Sequence, residues 1–195
     1  MLHRVRGGFQ KAVRQALEAR TGFHAESRVR SKLDRFGIRD RRQATRCTKR
    51  LRSIAAKASP RVFAASFGAI WNRWATGRRR QHRGRPCLLG CPSGEDSLEH
   101  YCKCPRVWRF GETALRVSCR ISGGRDTWFL SAPEHGDSQV DLRWWLRIGL
   151  LHYAVMRATN GLRAAGAVAD QPEEAHRAMM QGLADATRRE ESQEH

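Results

Sequence analysis

At 195 residues the chain has room for one domain or two small ones, and a 40% hydrophobic content with six Trp and seven Phe supplies a core. No run of about twenty apolar residues occurs, which excludes a transmembrane helix. The formal charge of +18 sits in one half. Residues 1–86 hold 24 Lys or Arg against four acids, a net of +20, whereas residues 87–195 hold 13 against 15, a net of −2. Such a polycation attracts polyphosphate, because each neutralised phosphate releases condensed counterions. Arg outnumbers Lys there, which suits bidentate phosphate contact and base stacking. The expected partner is RNA and/or DNA, with no membrane and no small-molecule substrate. The bland alternative is a solvated basic surface that holds any polyanion weakly.

In chain order, the first seventeen residues lack acids and place Leu2, Val5, Phe9, Val13 and Leu17 at near-helical spacing. Mitochondrial presequences share that pattern. The basic character continues well past a targeting segment, so nucleus or cytoplasm is the expected compartment. The periodicity predicts helices over 9–20, 26–36 (Val29, Leu33, Phe36) and 40–57 (Leu51, Ile54, Ala55). Ser59-Pro60 punctuates the chain before a helix over 60–77, with Phe63, Phe67, Ile70, Trp71 and Trp74 on one face read as core. An Arg-rich linker follows. Arg41, Arg42, Arg46, Lys49 and Arg50 on the third helix, with Arg78, Arg79, Arg80, Arg83 and Arg85 in the linker, are the candidate nucleic-acid contacts.

Beyond that, 105–118 reads as a short helix and 121–138 as a loop punctuated by Gly123-Gly124, Pro133 and Gly136. A start capped at Asp141 opens a long helix to about Asn160-Gly161, apolar around much of its girth and therefore central. His152 within it reads as a satisfied core histidine. Residues 172–190 form a last helix, Glu-rich early and Arg-rich late, which complements its dipole. The expected fold is mainly α: a small helical domain or domains around a Cys3His zinc-binding knuckle. It divides into a basic helical segment (1–59), an amphipathic helix with its linker (60–86), a zinc-binding motif (87–107) and a C-terminal helical region (108–195).

The motif is CLLGCPSGEDSLEHYCKCP, in which Cys87, Cys91, His100 and Cys104 have the spacing C-x3-C, eight residues, H-x3-C. Three thiolates and an imidazole at this spacing can close a tetrahedral Zn2+ site with no open catalytic position. Gly90 can take the positive φ of a tight metal-binding turn. Asp96 or Ser97 can cap a short helix, with Glu99 completing a capping box, and on that helix His100 and Cys104 share a face until Pro105 stops it. Cys102 is an alternative fourth ligand, but it stands two residues from His100 and so on the other side of a helix. The competing reading is inert or disulfide-bonded cysteines. The segment is too polar to fold on buried apolar surface, and with no secretory signal in view a reducing compartment is expected.

PRVFAASFGAIWNRWATGRRRQ, followed by CLLGC, GEDSLEHY and CKCP, resembles the C-terminal region of non-LTR (LINE-type) retrotransposon reverse transcriptases over about residues 40–110. There a helical segment precedes a cysteine–histidine zinc motif beyond the polymerase domain. The resemblance implies Cys87, Cys91, His100 and Cys104 as ligands and RNA or DNA binding during target-primed reverse transcription. The chain departs from the family in having no Asp-Asp pair to hold two catalytic magnesium ions. It also lacks G-x-S-x-G, a Walker loop and H-E-x-x-H. The expectation is a non-catalytic, zinc-stabilised nucleic-acid-binding fragment. The alternative is a structural or protein-interaction helical domain, a transposon relic without selected function.

Overall fold

Asp40 sets the start of the basic helix: its carboxylate accepts from the Arg42 amide at 3.0 Å, satisfying one of the amides that a helix leaves free in its first turn. The structure, a computed structural model, describes residues 25–80, 84–117, 124–133 and 138–191; the expected helix 9–20 lies outside them. α1 (Ala25–Asp34) buries Val29 and Leu33, and the chain turns at Gly37 with φ 73°. α2 (Arg41–Lys57) buries Ala44, Cys47, Thr48, Arg50, Leu51 and Ile54, a wider stripe than its few large apolar residues announce. Ala55 is exposed instead.

α3 (Pro60–Ile70) begins with Pro60 in the first turn, where a missing amide costs nothing. It ends seven residues before the expected boundary. Asn72 takes φ 51°, and the amides of Asn72 and Arg73 reach back to the carbonyls of Ala69 (3.2 Å) and Gly68 (2.7 Å). That is a Schellman closure, with Asn in the left-handed position usually given to Gly. Trp74 therefore leaves the helix and folds back, donating Nε1–H to the Ala65 carbonyl at 3.0 Å. The single apolar face expected over 60–77 is thus divided. Ile70 and Trp74 enter the core, while Phe63, Phe67 and Trp71 stay partly exposed.

After a 3-10 turn at Arg78–Arg80 come α4 (Leu98–Tyr101), α5 (Pro105–Leu115), α6 (Gly124–Trp128), α7 (Ser138–Ala164) and α8 (Pro172–Glu191). The fold is mainly helical, and among the described residues β pairing is limited to one isolated antiparallel bridge, Pro86 with Glu95. Residues 121–138 are not simply a loop. α6 carries Trp128 into the centre of the protein, followed by Phe129 and Leu130, all with no exposed surface. Trp128 meets Trp74, Trp108 and His152 edge-on at 5.7, 6.4 and 4.6 Å between ring centroids. Flanking Gly and Pro mark the ends of this plug, and the apolar triplet Trp128-Phe129-Leu130 is the sequence signal for its burial.

α7 is central, as its girth of apolar residues predicted, and packs against α2, α3, α5 and α8. It starts at Ser138, so Asp141 lies in its first turn rather than before it, and it continues past Gly161. His152 is a satisfied core histidine. Nε2 donates to the Trp128 carbonyl at 2.9 Å, which leaves Nδ1 to accept from the Ser66 hydroxyl at 3.1 Å. One core runs from Val29 to Ala186, drawing on all four sequence segments. No described helix is long and apolar enough to cross a membrane.

Candidate metal centre

The segment 85–96 doubles back on itself. The Asp96 amide donates to the Arg85 carbonyl at 2.9 Å and the Cys87 amide to the Gly94 carbonyl at 2.8 Å, on either side of the Pro86–Glu95 bridge. At the tip, the Gly90 amide closes onto the Cys87 carbonyl at 2.9 Å. Gly90 has φ 69°, as the turn required, and a Cβ there would also run into the carbonyl of Ala169. The hairpin is pinned from outside: Arg106 donates to the Gly90 carbonyl at 2.8 Å and the Ala169 amide to the Leu88 carbonyl at 3.0 Å.

Ser97, not Asp96, caps α4, accepting from the His100 amide at 3.1 Å. The expected shared helix for His100 and Cys104 is not formed. α4 closes at Tyr101, and Cys104 is the residue that opens α5, whose first helical residue is Pro105. Pro105 fits there because its ring presets the helical φ while its lost amide would have been unsatisfied anyway. The two ligands converge across a helix–helix junction rather than along one face.

The ligand atoms of Cys87, His100 and Cys104 lie within 4.8 Å of one another. Cys87 and Cys104 are fully buried, and His100 Nε2 is buried without a hydrogen-bond partner. A buried imidazole nitrogen left unpaired is costly, and a cation beside two thiols would satisfy it. The residues present therefore fit a metal ion. The Cys87 thiol is held below the usual range chiefly by the Cys104 thiol, which donates to it. Cys104 is pushed up by that same bond and by burial. Gly94 packs so closely on the His100 ring that no Cβ fits between them.

Cys91 lies outside this group of three. It is buried, and its sulfur sits 3.9 Å from the Ser93 hydroxyl. Cys102 also lies outside it: its thiol donates to the Glu99 carbonyl at 3.3 Å, and burial raises it to about 11. None of the described cysteines is disulfide-bonded.

Asp96 plays a part that the sequence did not announce. Fully buried, it accepts from the Gly77 amide (2.7 Å), the Tyr101 hydroxyl (2.8 Å) and Arg163 Nη2 (2.9 and 3.0 Å to its two oxygens). These bonds tie the metal segment to the end of α3's return and to the last turn of α7. Its position before a short helix suggested a cap, and nothing local predicts a partner 67 residues away.

The candidate phosphate contacts divide. Arg42 and Lys49 are exposed on α2, Arg46 is partly buried with Nε donating to the Ser131 carbonyl at 2.9 Å, and Arg41 faces Glu26 at 3.5 Å. Arg50 differs from the others by facing inward. It is 4% exposed, lies over the Trp145 ring at 3.6 Å, donates to the carbonyls of Leu130 and Ala132 and faces Asp141 at 3.8 Å. Its position on the inward stripe of α2 makes it a core cation rather than the phosphate contact expected from the sequence. Arg78 is exposed but pairs with Glu95 at 3.3 Å and Glu99 at 3.8 Å. Arg79 and Arg80 are exposed, Arg85 is partly buried, and Arg83 lies outside the described residues. In comparisons with known proteins, no family model, no curated protein and no solved structure matches the chain.

Proposed function

We propose that this protein is a non-catalytic nucleic-acid-binding module whose knuckle is held by Zn2+. The observation that carries the reading is the cation row on α2. Arg42, Arg46, Lys49 and Arg52 recur at three- and four-residue intervals along one face, three of them exposed, in a half-chain of net charge +20. Phosphate neutralisation by such a row releases counterions, and the resulting binding is strong at low salt and poor in sequence information. Arg79 and Arg80 add charge at the entry to the metal segment.

Zinc is the metal that two or three thiolates and one imidazole favour, being soft enough for sulfur and indifferent to ligand-field geometry. Cys87, His100 and Cys104 would hold it, and Cys91, buried on the same turn, is the residue we assign as fourth ligand. Held by these residues, zinc would supply charge neutralisation for the thiolates and a tie between the hairpin and α5, and with Cys91 as fourth ligand the site would leave no position for a substrate. The resemblance to the C-terminal region of LINE-type reverse transcriptases implies the same reading. The test is a titration of zinc-loaded protein with duplex DNA and single-stranded RNA across a salt series. Steeply salt-dependent binding is expected, whereas no binding even at low salt rejects the reading in favour of a helical domain that contacts other proteins.

A further inference from the structure

We propose that the open groove between α1, α2 and α3 is a stacking site for single-stranded nucleic acid; this rests on the phosphate-binding reading above and assigns the strand type and the base contacts. The early end of α3 leaves Phe63, Phe67 and Trp71 only partly buried, unlike Trp74 and Trp128. Phe67 and Trp71 stack at 4.1 Å with 14° between planes, and Phe63 follows at 5.9 Å. Together they line a groove of about 530 Å³, a size that admits a nucleobase.

Arg28, Lys32 and Arg52 line the same groove; among the described residues no acid lines it and none of these three cations pairs with a carboxylate. The groove is also continuous with the cation row. It shares Thr48 and Arg52 with a second depression, which in turn shares Thr45 and Lys49 with a third lined by Arg42 and Arg46. Among the described residues Glu26 is the one acid lining this path, and it faces Arg41 at 3.5 Å. A track of cations leading to aromatic rings is what a single strand needs: phosphates follow the charge, and an unstacked base finds a π face. A duplex, with its bases paired and stacked, can use the track but not the rings. That difference makes single strands the preferred ligand.

The experiment uses the full, zinc-loaded chain and three probes of equal length: an oligothymidylate, an abasic strand with the same phosphates and a duplex. Trp71→Leu keeps an apolar side chain but removes the π face, and Trp71→Phe keeps both, so failure to fold cannot mimic loss of stacking. Wild type should prefer oligothymidylate to the abasic strand. Trp71→Leu should lose about tenfold for oligothymidylate and nothing for the abasic strand or the duplex, with the salt slope unchanged, and Trp71→Phe should recover most of the loss. Equal affinities of Trp71→Leu and wild type for oligothymidylate overturn the proposal and leave the groove to a protein segment. Wild type that binds none of the three probes rejects the parent reading instead.

Discussion

Arg163 Nη2 donates to both carboxylate oxygens of Asp96, at 3.0 and 2.9 Å, and the side chains are 10% and 0% exposed. This one pair fastens the C-terminal turn of the central helix α7 to the residue that leads into α4 and His100. Asp96 is the more committed partner, since Tyr101 and the Gly77 amide also donate to it. Burial, with the Asp96 charge adding to it, raises the Tyr101 hydroxyl well above its ordinary range, so it stays a donor.

Breaking the pair from one side should be worse than removing it. A lone buried charge costs about 3–5 kcal/mol, whereas replacing a buried ion pair by apolar groups is often near neutral. Arg163→Met should therefore destabilise strongly, and Asp96→Asn less, because the amide keeps one acceptor for Gly77 or Tyr101. Denaturant unfolding of both single variants and the double variant gives the coupling. Additive losses would show that the two residues act independently.

Metal content should be one zinc per chain, lost in Cys104→Ser and retained in Cys102→Ser, whose thiol is engaged with the Glu99 carbonyl. Cys91→Ser should weaken zinc without abolishing folding if Cys91 is the fourth ligand. Structural zinc supplies roughly 10–16 kcal/mol in isolated fingers, so chelation should lower the melting temperature substantially. Loss of zinc in Cys102→Ser with retention in Cys104→Ser would reverse the ligand assignment.

Two glycines offer a matched contrast. Gly94→Ala places a methyl group in the His100 ring, so zinc affinity should fall even though the substitution is small. Gly161 has open space where its Cβ would be and sits inside α7, so Gly161→Ala should stabilise by about 0.5–1 kcal/mol. Competition with a colorimetric chelator reads the first and thermal unfolding the second.

His152 gives a pH signature. Burial lowers it from its ordinary 6.5 to about 3, so the neutral ring is the native form. A folded pKa below the unfolded one contributes stability that is complete above about 6.5 and lost as pH falls toward 3. His152→Gln retains a donor for Trp128 and an acceptor for Ser66 but cannot titrate. Its stability should fall less steeply between pH 6.5 and 4 than that of wild type. Parallel curves in urea titrations would exclude His152 as the source.

Salt should report which arginines touch phosphate. If about five phosphates are neutralised, log affinity for duplex DNA should fall against log salt with a slope near −4 to −5. Arg79→Ala with Arg80→Ala, and separately Arg42→Ala with Lys49→Ala, should each make that slope shallower by about 1–2 and weaken unrelated sequences equally. Arg50→Met should leave the slope alone and cost stability instead, because its guanidinium is inside. Fluorescence anisotropy with two unrelated oligonucleotides measures both. A variant that loses one sequence and keeps the other would refute phosphate contact.

Much of the secondary structure was legible from local chemistry. A cap at Asp96 or Ser97 was expected and Ser97 supplies it, Gly90 takes a positive φ, and α7 is central because its apolar residues encircle it. The gathering of Cys87, His100 and Cys104 was legible in outline from the Cys/His spacing, but His100 and Cys104 meet across the α4–α5 junction rather than on one helix, and Cys91 on the tight turn lies outside the group. What the chain alone did not determine were the choices made between distant segments. Whether Arg50 faced solvent or Trp145, and whether Asp96 capped a helix or met Arg163, depended on what the rest of the fold brought alongside. The left-handed turn at Asn72 sent Trp74 inward and left Trp71 partly exposed, although both stood on one predicted face. A charge or an aromatic ring is assigned to core or surface by partners that only the tertiary structure supplies, since the cost of burying it depends on whether those partners are in place.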